Sequence, residues 1–331
     1  MPTGDDRSST RSAPVSRLEF DVEWPPKHVA AYLIEREEPG PILVDAGDPT
    51  EQGESVIRDG LAAAGFDPVE LEAVVVTHPH SDHIGGVPVA RELGADVYAP
   101  APVLEQLERE ENDLVAGVRE IGRSAGYRGE AIEREVERAA DSLRRNRRLL
   151  EPESAIPFEF GEPFAAAGLE FEPIHTPGHQ VHHASLRTTL GRETVLFSGD
   201  SLIEPFRAGV IHVGIDYGAY EAVDAFFDAM DRLEVAAGEI DRVYPGHGPV
   251  FDEVRGTIEF TRRDLEELVA ETLESVGATG PTTPLEVTRQ RVGEVRYPVQ
   301  VLDTLGALGT LEGRGEIEYE TRDGVRYYEV A

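Results

Sequence analysis

Short apolar runs separated by Gly and Pro alternate with amphipathic segments through the first 250 residues of the chain. The apolar runs predict strands at 17–23, 28–35, 41–44, 71–76, 95–99, 157–174, 184–189, 194–198 and 241–244. A period of 3.6 residues predicts helices over 56–64, 85–93 and 219–233. Strands and helices mingled in this way favour a layered α/β sandwich.

Two regions depart from this alternation. Residues 101–150 hold two long, charged segments of helical period, joined around Gly126 and Gly129, and they predict a helical insertion. After residue 252 the pattern predicts a helix at 257–275, a Gly/Pro/Thr linker, helices at 284–291 and 298–308, and a hairpin around Asp323-Gly324. Three helices followed by a hairpin is the order of a winged helix. We therefore predict a disordered tail at 1–16, a sandwich domain at 17–252 and a helix plus winged-helix-like domain at 253–331.

Composition excludes several classes of protein. A length of 331 residues suits about two domains. The absence of Cys excludes a disulfide scaffold, a cysteine nucleophile, an iron–sulfur cluster and any thiolate metal site. No apolar run approaches the roughly 18 residues of a transmembrane helix, and the first residues lack the apolar core of a secretory signal. We predict a cytoplasmic protein with no membrane partner.

The chain is strongly acidic. It has 64 Asp and Glu against 31 Lys and Arg, a formal net charge of −33, and Lys27 as its single lysine. Such a chain repels itself in dilute salt, whereas in molar salt the Debye length shrinks to about 3 Å. A halophilic host is the expected explanation. The charge also disfavours nucleic acid as a partner at ordinary salt, and the segment 284–331 carries no basic excess. We therefore expect the winged helix to serve packing or formation of a homodimer rather than DNA binding, with RNA contact left open.

The segment with the clearest chemistry is THPHSDH at 77–83, directly after an apolar run. His78 and His80 are two residues apart, so in extended backbone their side chains point the same way. Asp82 and His83 begin the next element and can face the same cavity. Three further candidates each follow a short strand and lie on a turn: His179 in HTPGH, Asp200 in VLFSGD and His247 in YPGHG. We expect all seven side chains to converge at one edge of the sandwich.

Five imidazoles and two carboxylates suit zinc, and also manganese or iron(II). Seven donors exceed the needs of one tetrahedral ion, so we predict two zinc ions. The assignment places His78, His80 and His179 on the first ion, Asp82, His83 and His247 on the second, and Asp200 between them. Two ions about 3.5–4 Å apart can hold a bridging hydroxide, which removes the need for a protein nucleophile.

These motifs, with Asp45 in LVDAGD upstream, resemble the five-motif pattern of the metallo-β-lactamase-fold hydrolases over residues 17–251. The resemblance implies an αββα sandwich and a supporting role for Asp45 beside the first histidine loop. The C-terminal elements and HTPGHxxxH at 175–183 resemble the β-lactamase-like protein 2 group, some members of which are single-strand endoribonucleases. The sequence departs from that group in its longer helical insertion and in Gln180-Val181-His182-His183.

The predicted activity is hydrolysis of an ester, thioester or lactone by a metal-bridging hydroxide. The predicted catalytic residues are Asp82, Asp200 and His183, the last as a proton donor or substrate contact, although a structural role for His183 competes with that interpretation. Two alternatives remain open: a single-strand endoribonuclease and a persulfide dioxygenase with a single iron. His212 is a candidate for the pocket or for the core.

Overall fold

The computed structural model describes residues 14–211 and 216–331. The predicted tail, up to residue 13, and His212 lie outside this range. Ser16 and Val15, which we assigned to the tail, instead belong to the first strand. No helix in the described ranges combines the length and apolar character needed to cross a bilayer.

The first sheet has six strands in chain order. Its strands are β1 (Val15–Asp21), β2 (His28–Ile34), β3 (Ile42–Val44), β4 (Ala73–Val75), β5 (Asp96–Pro100) and β6 (Ile156–Phe158). The first three strands pair antiparallel, and β3 to β6 pair parallel. The parallel strands therefore end at one edge of the sheet.

The second sheet has five strands, and neighbouring strands are again consecutive in the chain. Its strands are β7 (Phe164–Ala166), β8 (Leu169–His175), β9 (Ala184–Leu190), β10 (Glu193–Gly199) and β11 (Arg242–Pro245). Only β10 and β11 pair parallel within it. Their carboxyl ends therefore lie side by side.

Alternating side chains of the same strand enter two different cores. In β2, Ala30 and Tyr32 pack in one cluster with Phe197, whereas Val29 and Leu33 join the larger cluster that contains the helices. A strand buried on both faces reads as a continuous apolar run. The cluster between the sheets and the cluster beneath the helices together make the predicted αββα sandwich.

The helices of the main domain cover the outer faces of the sheets. They are α1 (Glu51–Ala63), α2 (Ser81–Ile84), α3 (Val87–Glu92) and, further along the chain, α7 (Ala222–Ala236).

Three helices occupy the insertion between β5 and β6: α4 (Ala101–Glu108), α5 (Glu111–Ala125) and α6 (Glu130–Leu150). We expected two. The break at Arg109 has a tertiary cause, because Arg147 donates to the carbonyls of Leu107 and Arg109 and Arg109 pairs with Asp216.

The C-terminal part contains α8 (Val254–Gly277), α9 (Pro284–Val292), α10 (Pro298–Gly313), β12 (Ile317–Arg322) and β13 (Val325–Val330). The order of elements is the predicted one, and the hairpin turns at Asp323-Gly324. Helices α7, α8 and α10 pack against one another, and β13 packs against α5 of the insertion. The C-terminal elements therefore adjoin both the sandwich and the insertion.

Candidate metal centre

Seven side chains converge where strands of both sheets end. His78 and His80 follow β4, and Asp82 and His83 lie in the first turn of α2. Asp200 follows β10 and His247 follows β11, while His179 lies on the turn between β8 and β9. Their donor atoms form two groups, each within 4.8 Å: the first donor group is His78, His80, His179 and Asp200, and the second is Asp82, His83 and His247. The six residues expected on one ion or the other fall in separate groups, and Asp200, which we expected between the two ions, falls in the first group.

The three imidazoles of the first donor group direct nitrogen atoms at one another. His80 Nδ1 lies 3.1 Å from His78 Nε2 and 2.9 Å from His179 Nε2. Outer partners fix the tautomers. Thr77 Oγ1 donates to Asp45 and so accepts from His78 Nδ1, and His179 Nδ1 donates to the Gly209 carbonyl at 2.9 Å. The Nε2 lone pairs of His78 and His179 therefore converge, as a cation requires.

The second donor group is held in the same way. His83 Nδ1 lies 2.8 Å from Asp45 Oδ2, and His247 Nδ1 donates to the His28 carbonyl at 2.6 Å. The Nε2 atoms of both rings are therefore free of protons when the rings are neutral. His247 Nε2 lies 3.7 Å from Asp82 Oδ2. Two imidazoles and a carboxylate again face a common point.

Asp200 lies between the two groups. Its Oδ2 atom is 3.3 Å from His179 Nε2 of the first group and 3.3 Å from His247 Nε2 of the second. Its Oδ1 atom and His83 Nε2 are buried without a hydrogen-bond partner, 3.5 Å from each other. Orphaned buried polar atoms are costly unless something binds them. The donor set and these two atoms fit a pair of divalent cations.

Asp45 supports both groups from below. Besides its bond to His83, it accepts the Thr77 amide at 2.8 Å and the Thr77 hydroxyl at 2.8 Å. The carboxylate is buried, and each of its contacts holds the loop that carries His78 and His83. These contacts are those of the supporting role that the resemblance implied.

Glycine is required beside His247. A side chain at Gly246 would place its Cβ 2.3 Å from Asp200 Oδ1 and 2.6 Å from His83 Cε1. No real Cβ contact is that short, so any other residue would push Asp200 or His83 away. The turn YPGHG therefore brings β11 against β10 at the site.

His183 lies behind Asp200 rather than in the cavity. It is fully buried, its Nε2 atom accepts the Asp200 amide at 3.0 Å, and its Nδ1 atom lies 2.7 Å from Thr176 Oγ1. Both ring nitrogens are engaged. This environment favours a role in positioning Asp200 over the expected role as proton donor or substrate contact.

Three neighbouring contacts were not foreseen from the sequence. The Gln180 amide lies 2.6 Å from His80 Nε2, and Asn146 donates to the Pro79 carbonyl at 2.7 Å. Asp303 of α10 accepts the Val210 amide at 2.8 Å and so fixes the loop whose carbonyl binds His179. Gln180 directly follows the HTPGH motif, so its position in the sequence could have indicated that it lies near the site. Asn146 and Asp303 carry no local signal, because only the fold brings them here.

The two donor groups differ in proton affinity. Burial lowers the pKa of His78 and His80 well below 6.5, and neighbouring imidazoles lower it further. Burial also lowers the pKa of His83 and His247, but nearby carboxylates outweigh it, Asp200 above all, so both pKa values are raised. Conversely, the three adjacent imidazoles outweigh burial and hold the pKa of Asp200 well below its usual range. In the metal-free protein, protons therefore collect on the second group.

This difference predicts stepwise metal loss on acidification. A protonated imidazole has no lone pair, so protons compete with a cation. Because the pKa values of His83 and His247 are raised, metal affinity of the second group should begin to fall while the pH is still above 6.5. The first group, whose lowered pKa values keep it neutral, should hold its cation below that pH. Metal content after equilibration at a series of pH values should show a plateau at one ion per chain. Loss of both ions in one step would contradict this.

Comparison with known proteins agrees with the fold. The sequence model of the metallo-beta-lactamase superfamily matches residues 24–247. Among solved structures, a metallo-beta-lactamase family protein of Thermus thermophilus superposes with a TM-score of 0.76 at 22% identity, covering 96% of this chain and 98% of that one. A beta-lactamase domain protein of Burkholderia ambifaria gives a TM-score of 0.75 at 19% identity, covering 98% and 95%. At these identities the likeness concerns the fold.

Curated relatives match about two thirds of the chain. A beta-lactamase-like protein 2 homolog of Caenorhabditis elegans is 25% identical over 64% of this chain and 54% of its own length. An atrochrysone carboxyl ACP thioesterase of Aspergillus fumigatus is 24% identical over 71% of this chain and 42% of its own. The matches thus span about half of these relatives or less. The family match itself covers more than half of this chain and includes all seven donor residues. The chain belongs to the metallo-β-lactamase superfamily.

Proposed function

We propose that this protein is a hydrolase that cleaves an ester or thioester with the help of two divalent cations, zinc in the first instance. The observation that carries the proposal is the arrangement of Asp200, whose Oδ2 atom is equidistant from a histidine of each donor group. A thioesterase among the relatives supports the substrate class. Divalent cations, when bound, lower the pKa of water to about 7 and polarise a carbonyl.

The chain's own residues would hold and orient these reactants. His78, His80 and His179 would bind the first cation, and Asp82, His83 and His247 the second. Asp200 would bind both, and its low pKa keeps it ionised for that purpose. The buried setting strengthens these electrostatic interactions because little water competes. Asp45 and His183 would hold the ligands in place.

We further propose that residues 17–252 form the catalytic domain and that 253–331 form a helix plus winged-helix-like domain. The order α8, α9, α10 and hairpin supports the second part. The acidic composition supports a halophilic setting and favours assays in molar salt.

The test is hydrolysis of a panel of esters, thioesters and lactones in molar salt. We expect turnover that disappears after chelation and returns on addition of zinc, manganese or iron(II). Unchanged hydrolysis after complete metal removal would contradict the proposal. Cleavage of single-stranded RNA, without ester turnover, would favour the endoribonuclease alternative. About one iron per chain with persulfide oxidation would favour the dioxygenase.

A further inference from the structure

A cavity of about 490 Å³ opens beside the metal centre. His80, Pro79 and Gln180 line the end nearest the donor groups. The insertion, the start of α10, the loop between β1 and β2 and Ile211 form the remaining walls. Most of the wall is apolar, and the apolar side chains that the helices contribute include Leu107, Leu114, Val118, Leu143, Val301 and Leu302.

The cavity follows the axis of α6. Its lining includes Glu135, Arg138, Ala139, Ser142, Leu143 and Asn146, which are spaced at three, one, three, one and three residues. That spacing is one face of a helix. Asn146 marks the end at the metal centre, because it donates to the carbonyl of Pro79. Glu135 is eleven residues away, which is about 16 Å at 1.5 Å per residue. The cavity is therefore long enough for an extended alkyl chain.

The charged side chains of the insertion that line the cavity are paired. Arg109 binds Asp216 at 2.6 Å, and Arg138 binds Glu135 at 2.7 Å. Each arginine is neutralised by its own carboxylate, so the wall offers no unbalanced charge to an anionic ligand. An apolar lining with paired charges favours an uncharged, apolar group.

The mouth of the cavity carries exposed aromatic side chains. Trp24, 42% exposed, and Tyr297, 47% exposed, both belong to the lining. Large aromatic side chains left in water at the rim of an apolar cavity are typical of a binding site. Trp24 is also the chain's only tryptophan, so its fluorescence reports on this site alone.

From these observations we propose that the cavity binds the extended acyl chain of the substrate and places its carbonyl at His80. The substrate class is thus a long-chain acyl ester or thioester. This inference rests on the proposed hydrolase function and refines it. The insertion would then select substrates by chain length, with Ala139 at the middle of the α6 face setting the width of the path.

The experiment measures binding separately from turnover. The protein as purified, in molar salt, is titrated with straight-chain S-alkyl pantetheine thioethers, from ethyl to dodecyl, while Trp24 fluorescence is recorded. These probes cannot be hydrolysed as thioesters, because a methylene group replaces the thioester carbonyl beside sulfur. We expect affinity to increase roughly fourfold for each added methylene, since burying one contributes about 0.8 kcal/mol, and then to level off when the chain fills the cavity.

Two variants locate the binding. Ala139→Leu narrows the path, so the increase in affinity should level off at a shorter chain. The matched control is Arg134→Leu on the same helix, whose side chain is exposed and absent from the lining, and its titration should match that of the parent. If Ala139→Leu does not fold by circular dichroism, Ser142→Leu on the same face replaces it.

The outcomes separate the two proposals. An affinity that increases with chain length, and that levels off at a shorter chain in Ala139→Leu, would support the acyl cavity even if no hydrolysis is found. Absence of chain-length dependence, or dependence unchanged in both lining variants, would overturn it. If ester hydrolysis is found in that case, the proposed function stands and the acyl cavity does not.

Discussion

Replacing Asp200 by asparagine is expected to reduce ester or thioester hydrolysis about 10³-fold, equivalent to roughly 4 kcal/mol of transition-state stabilisation. The amide has nearly the same shape as the carboxylate but carries no charge. Its oxygen cannot balance two cations, whereas Asp200 Oδ2 faces a histidine of each donor group at 3.3 Å. The hydrogen bond from the backbone amide of residue 200 to His183 is retained in the variant, so the turn after β10 should keep its conformation.

A matched control is available at the other end of the same strands. Asp241→Asn makes the same chemical change just before β11, where the side chain accepts the Thr194 amide at an exposed position. This variant should retain full activity and metal content. Initial rates and metal content of both variants, measured in molar salt with circular dichroism as the check on folding, decide the prediction. Parental activity in Asp200→Asn would contradict the role of Asp200.

Asp45→Asn should weaken metal binding at the second donor group by about 10- to 100-fold, although Asp45 does not face a cation. Asp45 accepts the His83 Nδ1 proton through Oδ2 and the Thr77 amide through Oδ1. Asparagine can keep the bond to Thr77 only by turning its NH₂ group toward His83. His83 must then carry its proton on Nε2, which removes the lone pair that faces Asp200.

The measurement is zinc affinity by competition with a chromophoric chelator, in which the weaker and tighter steps are resolved. Only the binding step assigned to the second group should weaken strongly. The control is Asp67→Asn, which should leave both steps unchanged. At this exposed position asparagine can still cap the helical turn. Equal weakening of both steps would indicate a general loss of structure instead. Unchanged affinity in both steps would show that Asp45 does not set the tautomer of His83.

The parts of the site that sequence could predict are those encoded by neighbours in the chain. His78 and His80 follow a buried strand at a spacing of two, and Asp82 and His83 open the next helix, so local geometry suffices to aim them together. His179, Asp200 and His247 each follow a strand, and strands of a sandwich end at shared edges. The apolar runs likewise predicted the sheets because both faces of strands such as β2 are buried.

The parts that escaped prediction depend on distant segments. The helix expected to run through residue 109 breaks there, because Arg147 of α6 binds the carbonyls at that point. His183 carries the same chemistry as the five donor histidines, and only its burial behind Asp200 distinguishes it. The cavity wall combines Trp24, α6 and Leu302, which no local pattern connects.

The most direct test of the account is a metal-loaded crystal structure with anomalous scattering recorded at the metal's absorption edge. The account predicts two peaks in each chain, one among His78, His80 and His179 and the other among Asp82, His83 and His247, with Asp200 touching both. A single peak, or peaks away from these side chains, would contradict it.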